Sequence, residues 1–255
     1  MSHRLPQYYC RLRKIERYLE GSPLFLMYHS IARPRAGWRG RGLLSYVDPG
    51  LFRRQINELR EAGFATRLPD AARDCGGKSV IITFDDGYEN VLKNAAEPLR
   101  CAGFSGITYL VHGLIGKTNE WDIPKGIPRE RLMDRSQVLD WLQAGQAIGS
   151  HTLTHPFLTR IPIAQAREEI IASKKRLEDM FGLPIEHFCY PYGDRNAAVR
   201  DIVIEAGYKT AGTLKCGLNS ADTSPFELRR FMVRYPKWNL SDWFALLTKR
   251  DAEAR

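Results

Sequence analysis

The sequence is built on a repeated rhythm: a short apolar run, an amphipathic stretch, a glycine, then another apolar run. Runs at 24–28 (LFLMY), 79–84 (SVIITF), 106–111 (GITYLV), 147–150 (AIGS), 187–190, 208–213 and 228–233 have strand length. Several are apolar throughout, the pattern of strands buried on both faces. The segments between them carry helix punctuation. Asp48-Pro49 offers a capping side chain and a proline at the first helical position, Leu51, Phe52, Ile56 and Leu59 form a stripe, and Gly63 stops it. The same grammar recurs from Val91 to Leu99 before Gly103, from Ile163 to Met180 before Gly182, and over 197–206 before Gly207. A further helix is expected to begin near Ser136, with Trp141 in the core. This alternation predicts an α/β protein of parallel β/α units.

Polar residues suited to catalysis fall just past the predicted strands. His29 follows LFLMY, Asp85-Asp86-Gly87 follow SVIITF, His151 and His155 follow AIGS, and Pro191-Tyr192-Gly193 follow HFCY. In (β/α) barrels the active site is built from the loops at that edge. Adjacent carboxylates after a buried strand need a compensating partner, which a cation or an Asx-type turn supplies. His151 and His155 lie four residues apart, although Pro156 disfavours helical geometry at His155. With Asp86 they make the two-histidine, one-carboxylate set of an open catalytic zinc site. Tyr190-Pro191-Tyr192-Gly193 reads as a tight turn, either plain or exposing N–H groups to an oxyanion.

Composition excludes other classes. With 44% hydrophobic and 26% charged residues the chain is neither disordered nor fibrous. Five cysteines (Cys10, Cys75, Cys101, Cys189, Cys216), none in C-x-x-C spacing, argue against a disulfide framework or a cysteine zinc site. No apolar run approaches the ~18 residues of a membrane span, and 1–21 lacks the apolar centre of a signal peptide. A cytoplasmic protein is expected, with peripheral contact to the inner membrane face left open. The net charge of +9 invites an anionic partner. Residues 8–19 read as a basic amphipathic helix suited to anionic lipid. Arg33, Arg35, Arg39 and Arg41 around Trp38 resemble a nucleic-acid-binding loop, although nucleic acid is not the favoured partner.

Thr83-Phe84-Asp85-Asp86-Gly87-Tyr88, Ser150-His151-Thr152-Leu153-Thr154-His155-Pro156 and Phe188-Cys189-Tyr190-Pro191-Tyr192-Gly193 resemble three motifs of the polysaccharide deacetylase family, carbohydrate esterase family 4. The likeness extends over roughly residues 24–234. It implies a distorted (β/α)7-8 barrel, here one catalytic domain over 22–255 behind a basic extension of residues 1–21.

The resemblance implies that Asp85 is the general base. It implies that Asp86, His151 and His155 hold a divalent metal, with zinc favoured and cobalt, nickel or iron compatible. The Tyr192 N–H would help hold the oxyanion. Where many members carry arginine at the start of the third motif this chain has Cys189, so Arg230 is the expected partner of Asp85. No histidine follows His187, so the general acid is expected at His29 in Tyr28-His29, similar to the circularly permuted poly-N-acetylglucosamine deacetylases.

The implied reaction removes an N-acetyl group from an amino sugar in a glycan, or in its lipid- or nucleotide-linked precursor. Trp121, Tyr192 and His112 are candidate substrate contacts. The competing readings are a metal hydrolase of another C–N amide bond and a non-catalytic basic protein binding glycan, nucleic acid or membrane.

Overall fold

The computed structural model describes residue 19 and residues 22–34, 45–70, 78–125 and 127–233. The expected extension over 1–21, Leu19 apart, and the loop carrying Trp38 lie outside the described residues. Ten strands are present among the described residues: β1 (Leu24–Tyr28), β2 (Ser30–Ile31), β3 (Tyr46–Val47), β4 (Ala65–Thr66), β5 (Ser79–Phe84), β6 (Ile107–Leu110), β7 (Ala147–Ser150), β8 (His187–Cys189), β9 (Thr210–Gly212) and β10 (Phe231–Met232). Five α-helices lie between them: α1 (Pro49–Glu61), α2 (Glu89–Ala102), α3 (Arg135–Gln143), α4 (Ile163–Phe181) and α5 (Ala197–Glu205). Among the described residues, no helix is long and apolar enough to cross a membrane.

The main sheet is parallel throughout, in the order β10-β1-β5-β6-β7-β8-β9, with β4 paired to the start of β5. The sheet curls, and one segment spans the gap between its two ends. Leu228 exchanges hydrogen bonds with β9, its N–H donating to Ala211 O (3.0 Å) and its carbonyl accepting from Thr213 N (2.9 Å). Three residues later Phe231 and Met232 pair with Leu26 and Met27 of β1. The run predicted as one strand over 228–233 is therefore divided between two neighbours. The result is a (β/α)-barrel-like architecture, as the resemblance implies, with strand C-terminal ends converging at one mouth.

The helices start and stop where their end residues dictate. Asp48 caps α1 by accepting from Gly50 N and Leu51 N, with Pro49 in the first turn. Asp134 and Gln137 form a reciprocal capping box on α3. Gly103 and Gly182 end α2 and α4 in the left-handed conformation. The core is aromatic at its centre: Phe84 of β5 stacks on Tyr28 (5.5 Å) and meets Trp141 edge-on (5.6 Å). Trp141 is wholly buried and donates its indole N–H to Ala147 O (2.8 Å), which ties α3 to β7. Gly149 of β7 has no room for a side chain, since a Cβ there would lie 2.6 Å from the Tyr109 ring and 2.7 Å from His187 O.

Candidate active site

Four strands of the curl hand a turn to the same mouth. His29, Asp85-Asp86, His151 to His155 and Tyr192 follow β1, β5, β7 and β8. Four residues other than glycine have positive φ among the described residues, Asp86 (73°), Thr152 (71°), His155 (64°) and Tyr192 (57°), and all belong to these turns. Such conformations cost of order 1–3 kcal/mol each and persist where the surroundings over-determine them. His155 therefore reaches the mouth through a positive-φ turn rather than through a helix. The turn after β8 is equally tight. Gly193 (φ 65°) abuts Leu214, whose backbone N would lie 2.9 Å from any added Cβ.

Asp85 is buried and gripped by Arg230. Arg230 Nη1 donates to Asp85 Oδ1 (2.7 Å) and Nη2 to Oδ2 (2.8 Å). The remaining guanidinium donors go to Thr213 O (3.0 Å), Thr83 Oγ1 (3.0 Å) and Cys189 Sγ (3.0 Å), so all five N–H groups of this buried arginine are used. Burial alone would raise the Asp85 carboxyl, but Arg230 outweighs it and holds the group below the usual carboxylate range. Burial pushes the Cys189 thiol up, and its sulfur lies 3.5 Å from Asp85 Oδ2. His29 Nε2 stands 3.9 Å from the same oxygen, and its buried Nδ1 has no hydrogen-bond partner among the described residues.

Asp86 faces the two histidines. Its Oδ1 lies 3.4 Å from His151 Nε2 and 3.3 Å from His155 Nε2, all three residues buried, with their ligand atoms within 4.8 Å of one another. His151 Nδ1 bonds Cys189 O (2.7 Å), which leaves Nε2 directed at the cluster. Burial opposes charge on both rings. At His151 the neighbouring Cys189 and Asp86 outweigh burial and raise the pKa, whereas His155 is lowered. Asp86 itself is held well below the usual range, burial being outweighed by its histidine partners. Two imidazole nitrogens and an ionised carboxylate oxygen in this arrangement are a donor set that fits a divalent cation. A second cluster, Asp70, Glu186 and His187, lies at the opposite end of β8, where Lys209 already neutralises the acids (2.7 Å to Glu186).

These groups open into a cavity of about 200 Å³ lined also by Tyr46, Trp121, Asp122, Lys125, Tyr192 and Leu214. Trp121 stacks on His155 (4.3 Å, 22°), so one face of its ring backs the Asp86–His151–His155 cluster. His112 is not among the described residues that line the cavity. After β6 the chain turns at once into a 3-10 turn, where His112 N donates to Thr152 O (3.1 Å); burial and Arg176 lower its pKa.

Sequence reasoning missed Glu169. From α4 this buried carboxylate accepts from Leu153 N (2.8 Å), Thr154 N (2.9 Å) and Thr154 Oγ1 (2.6 Å) and so holds the histidine turn. The signal was present: Glu169 falls in the buried stripe of Ala166, Ile170, Ser173 and Leu177, where an unpaired charge is untenable. Also missed was Asp122, buried beside Tyr88 OH (3.4 Å) and paired with Lys125 (3.1 Å).

This fold recurs in solved structures. The Streptococcus pyogenes deacetylase PplD in complex with acetate superposes with a TM-score of 0.73 at 22% identity, over 89% of this chain and 98% of that one. IcaB from Ammonifex degensii gives a TM-score of 0.73 at 21% identity, over 89% and 96%. In sequence, the Bacillus subtilis (strain 168) protein YxkH, named as a polysaccharide deacetylase, is 27% identical over 215 residues, 82% of this chain and 70% of its own length. The profile of the polysaccharide deacetylase family matches residues 72–211, which hold Asp85, Asp86, both turn histidines and Tyr192. A match across more than half of the sequence, on the stretch that holds Asp86 and both turn histidines, makes this chain a member of the polysaccharide deacetylase family.

Proposed function

We propose that the protein is a divalent-cation-dependent hydrolase that removes the N-acetyl group from an amino sugar of a glycan, or of its lipid- or nucleotide-linked precursor. The observation that carries this reading is the juxtaposition of two unlike carboxylates at one mouth. Asp86 faces two imidazoles, while its neighbour Asp85 is turned away onto Arg230 and His29. Asp86, His151 and His155 are the residues that would hold the cation, with zinc favoured by the donor set. When bound, the cation supplies a Lewis acid that polarises the amide carbonyl and acidifies water.

The chain's own groups do the rest. Asp85, kept ionised by Arg230, takes the proton of the attacking water. The Tyr192 N–H, presented by a left-handed turn, donates to the developing oxyanion. His29, from a different strand, gives a proton to the departing amine. Its Nε2, 3.9 Å from Asp85 Oδ2, supports the reading in which acid and base serve one scissile bond. A cavity of about 200 Å³ is smaller than the ~300–1,000 Å³ typical of drug-sized sites, so it takes the acetamido end of one sugar while the rest of the glycan lies outside.

The test is acetate release from N-acetylglucosamine oligomers by the metal-loaded protein. Asp85→Asn is expected to bind zinc as the parent does while losing about 100-fold or more in kcat, in line with general-base catalysis. His151→Ala is expected to lose zinc and turnover together. Near-parental turnover in Asp85→Asn would overturn the base assignment, and full turnover in His29→Ala would overturn that of the acid.

A further inference from the structure

His155 and Tyr192 sit on separate turns, one after β7 and one after β8, yet these turns are fastened together outside the cavity. Thr159 donates its backbone N–H to Asp194 Oδ2 (2.8 Å) and its hydroxyl to Asp194 Oδ1 (2.8 Å). Two residues from each of these, the Phe157 ring lies flat on Tyr192 (3.8 Å, 14°). With Phe157 on one face of Tyr192, the Lys125 ammonium takes the other at 4.1 Å. The Arg160 guanidinium in turn lies over Phe157 at 4.2 Å. The outcome is a four-layer column of cation, ring, ring and cation. His155 meets the edge of the same Tyr192 ring (4.6 Å, 78°).

We propose that this clasp is a positioning device that holds the cation ligand His155 and the N–H of Tyr192 in one frame. Phe157, Thr159 and Asp194 are positioning residues, since none of them lines the cavity. Both residues they support are held at positive φ (64° and 57°), a conformation each would leave if its turn were free to relax. Within its own turn Tyr192 has only the short bonds Gly193 N to Tyr190 O (2.9 Å) and Asp194 N to Pro191 O (3.0 Å), which fix the bend but not its place relative to β7. At the strand ends that placement comes from the β7–β8 pairing and the His151–Cys189 bond, and Glu169 steadies the histidine turn; farther along both turns it comes from Asp194 and the ring stack. The two fastenings differ in kind, one of charge-assisted hydrogen bonds and one of aromatic packing flanked by cations, and they act on the same pair of turns.

The inference rests on the deacetylase reading for its kinetic half and on the cation cluster for its binding half, so two readouts are needed. Zinc affinity of the full chain is measured by competition with a chromophoric chelator, and kcat and KM by acetate release from N-acetylglucosamine oligomers. Phe157→Ala and Asp194→Ala are each expected to weaken zinc binding about tenfold. They are also expected to lower kcat by about 10–100-fold, the range for groups that orient a metal site, with KM within about twofold. Phe157→Tyr keeps the stack and is expected to stay within about twofold of the parent in both.

Folded Phe157→Ala and Asp194→Ala proteins with parental zinc affinity and kcat would overturn the proposal, as would a parent that binds no zinc. Should both fail to fold, Thr159→Val carries the test. This exposed, near-isosteric change removes the hydroxyl bond alone, and a threefold loss in zinc affinity supports the clasp where no change overturns it. A parent that binds zinc but releases no acetate would sink the deacetylase reading and leave the zinc readout to decide the clasp.

Discussion

Asp85 and Arg230 lie 145 residues apart and meet in a fully enclosed, two-pronged pair. Removing one partner of such a pair strands the other's charge, at a cost of about 3–5 kcal/mol. Arg230→Met is therefore expected to lower unfolding free energy at pH 7 by about that amount, read from urea titration. Arg230→Lys should recover little of it, because an ammonium cannot span both carboxylate oxygens. Asp85 has a folded-state pKa below its unfolded value of about 3.9, so its contribution is present above that pH and lost as pH falls through the folded pKa. The Arg230→Met deficit should accordingly shrink on acidification: in the variant the buried Asp85, raised without its guanidinium, takes up a proton first, and in the parent the pair is lost below about pH 4. A deficit under about 1 kcal/mol at pH 7 would count against this account. The pairing was legible only through the resemblance: a lone arginine entering a strand carries no mark of the aspartate it serves. Glu169, by contrast, was legible in principle, as a charge in an apolar helical stripe.

The elements were legible where local signals agree. β1, β5 and β7 run from end to end as the apolar runs predict, and α1 starts at the Asp48-Pro49 signal. The losses are at short elements and at shared ones. β2, β3 and β4 have two residues each, too few for any periodicity. The run 228–233 divides between two neighbours, which no property of its own residues announces. On α1, Glu58 shows a local conflict. It follows the buried Gln55 and Ile56, and burial pushes its carboxyl up to about 7, only partly offset by Arg54. As pH rises from about 4.5 to 7 the unfolded chain gives up this proton before the folded one does, so stability falls across that window. Glu58→Gln removes the effect. The variant is expected to have a higher urea midpoint than the parent at pH 8 and the same midpoint at pH 4. An equal midpoint at both would show that the carboxyl is not held proton-bound.

At the scale of the molecule, the curl of the parallel sheet decides which distant residues become neighbours. The positional signal of polar residues past strand ends was legible because parallel topology sends every such end to the same mouth. What the sequence did not disclose is the second layer that steadies the mouth, since those contacts join turns whose facing depends on the curl. The total charge of +9 says little about the cation cluster, which is acidic at its centre. A cation that binds the folded chain alone stabilises it by mass action, about 2.7 kcal/mol at a hundredfold excess over Kd. Stripping the protein with a chelator is therefore expected to lower its melting temperature, and zinc to restore it. In Asp86→Ala the melting temperature should no longer respond to either. An equal response in that variant would place the cation elsewhere.

The segment 228–232 joins β9 to β1 and carries Arg230 between its two pairings. Synthesis runs from the N-terminus, and a chain made only as far as residue 227 already contains both carboxylates and both turn histidines. It lacks the seam of the barrel and the counter-ion of Asp85. Both are supplied within five residues, so closure of the sheet and neutralisation of the Asp85 carboxylate are one structural event. A lesion confined to these five residues would therefore open the sheet and strip Asp85 of its partner in one stroke.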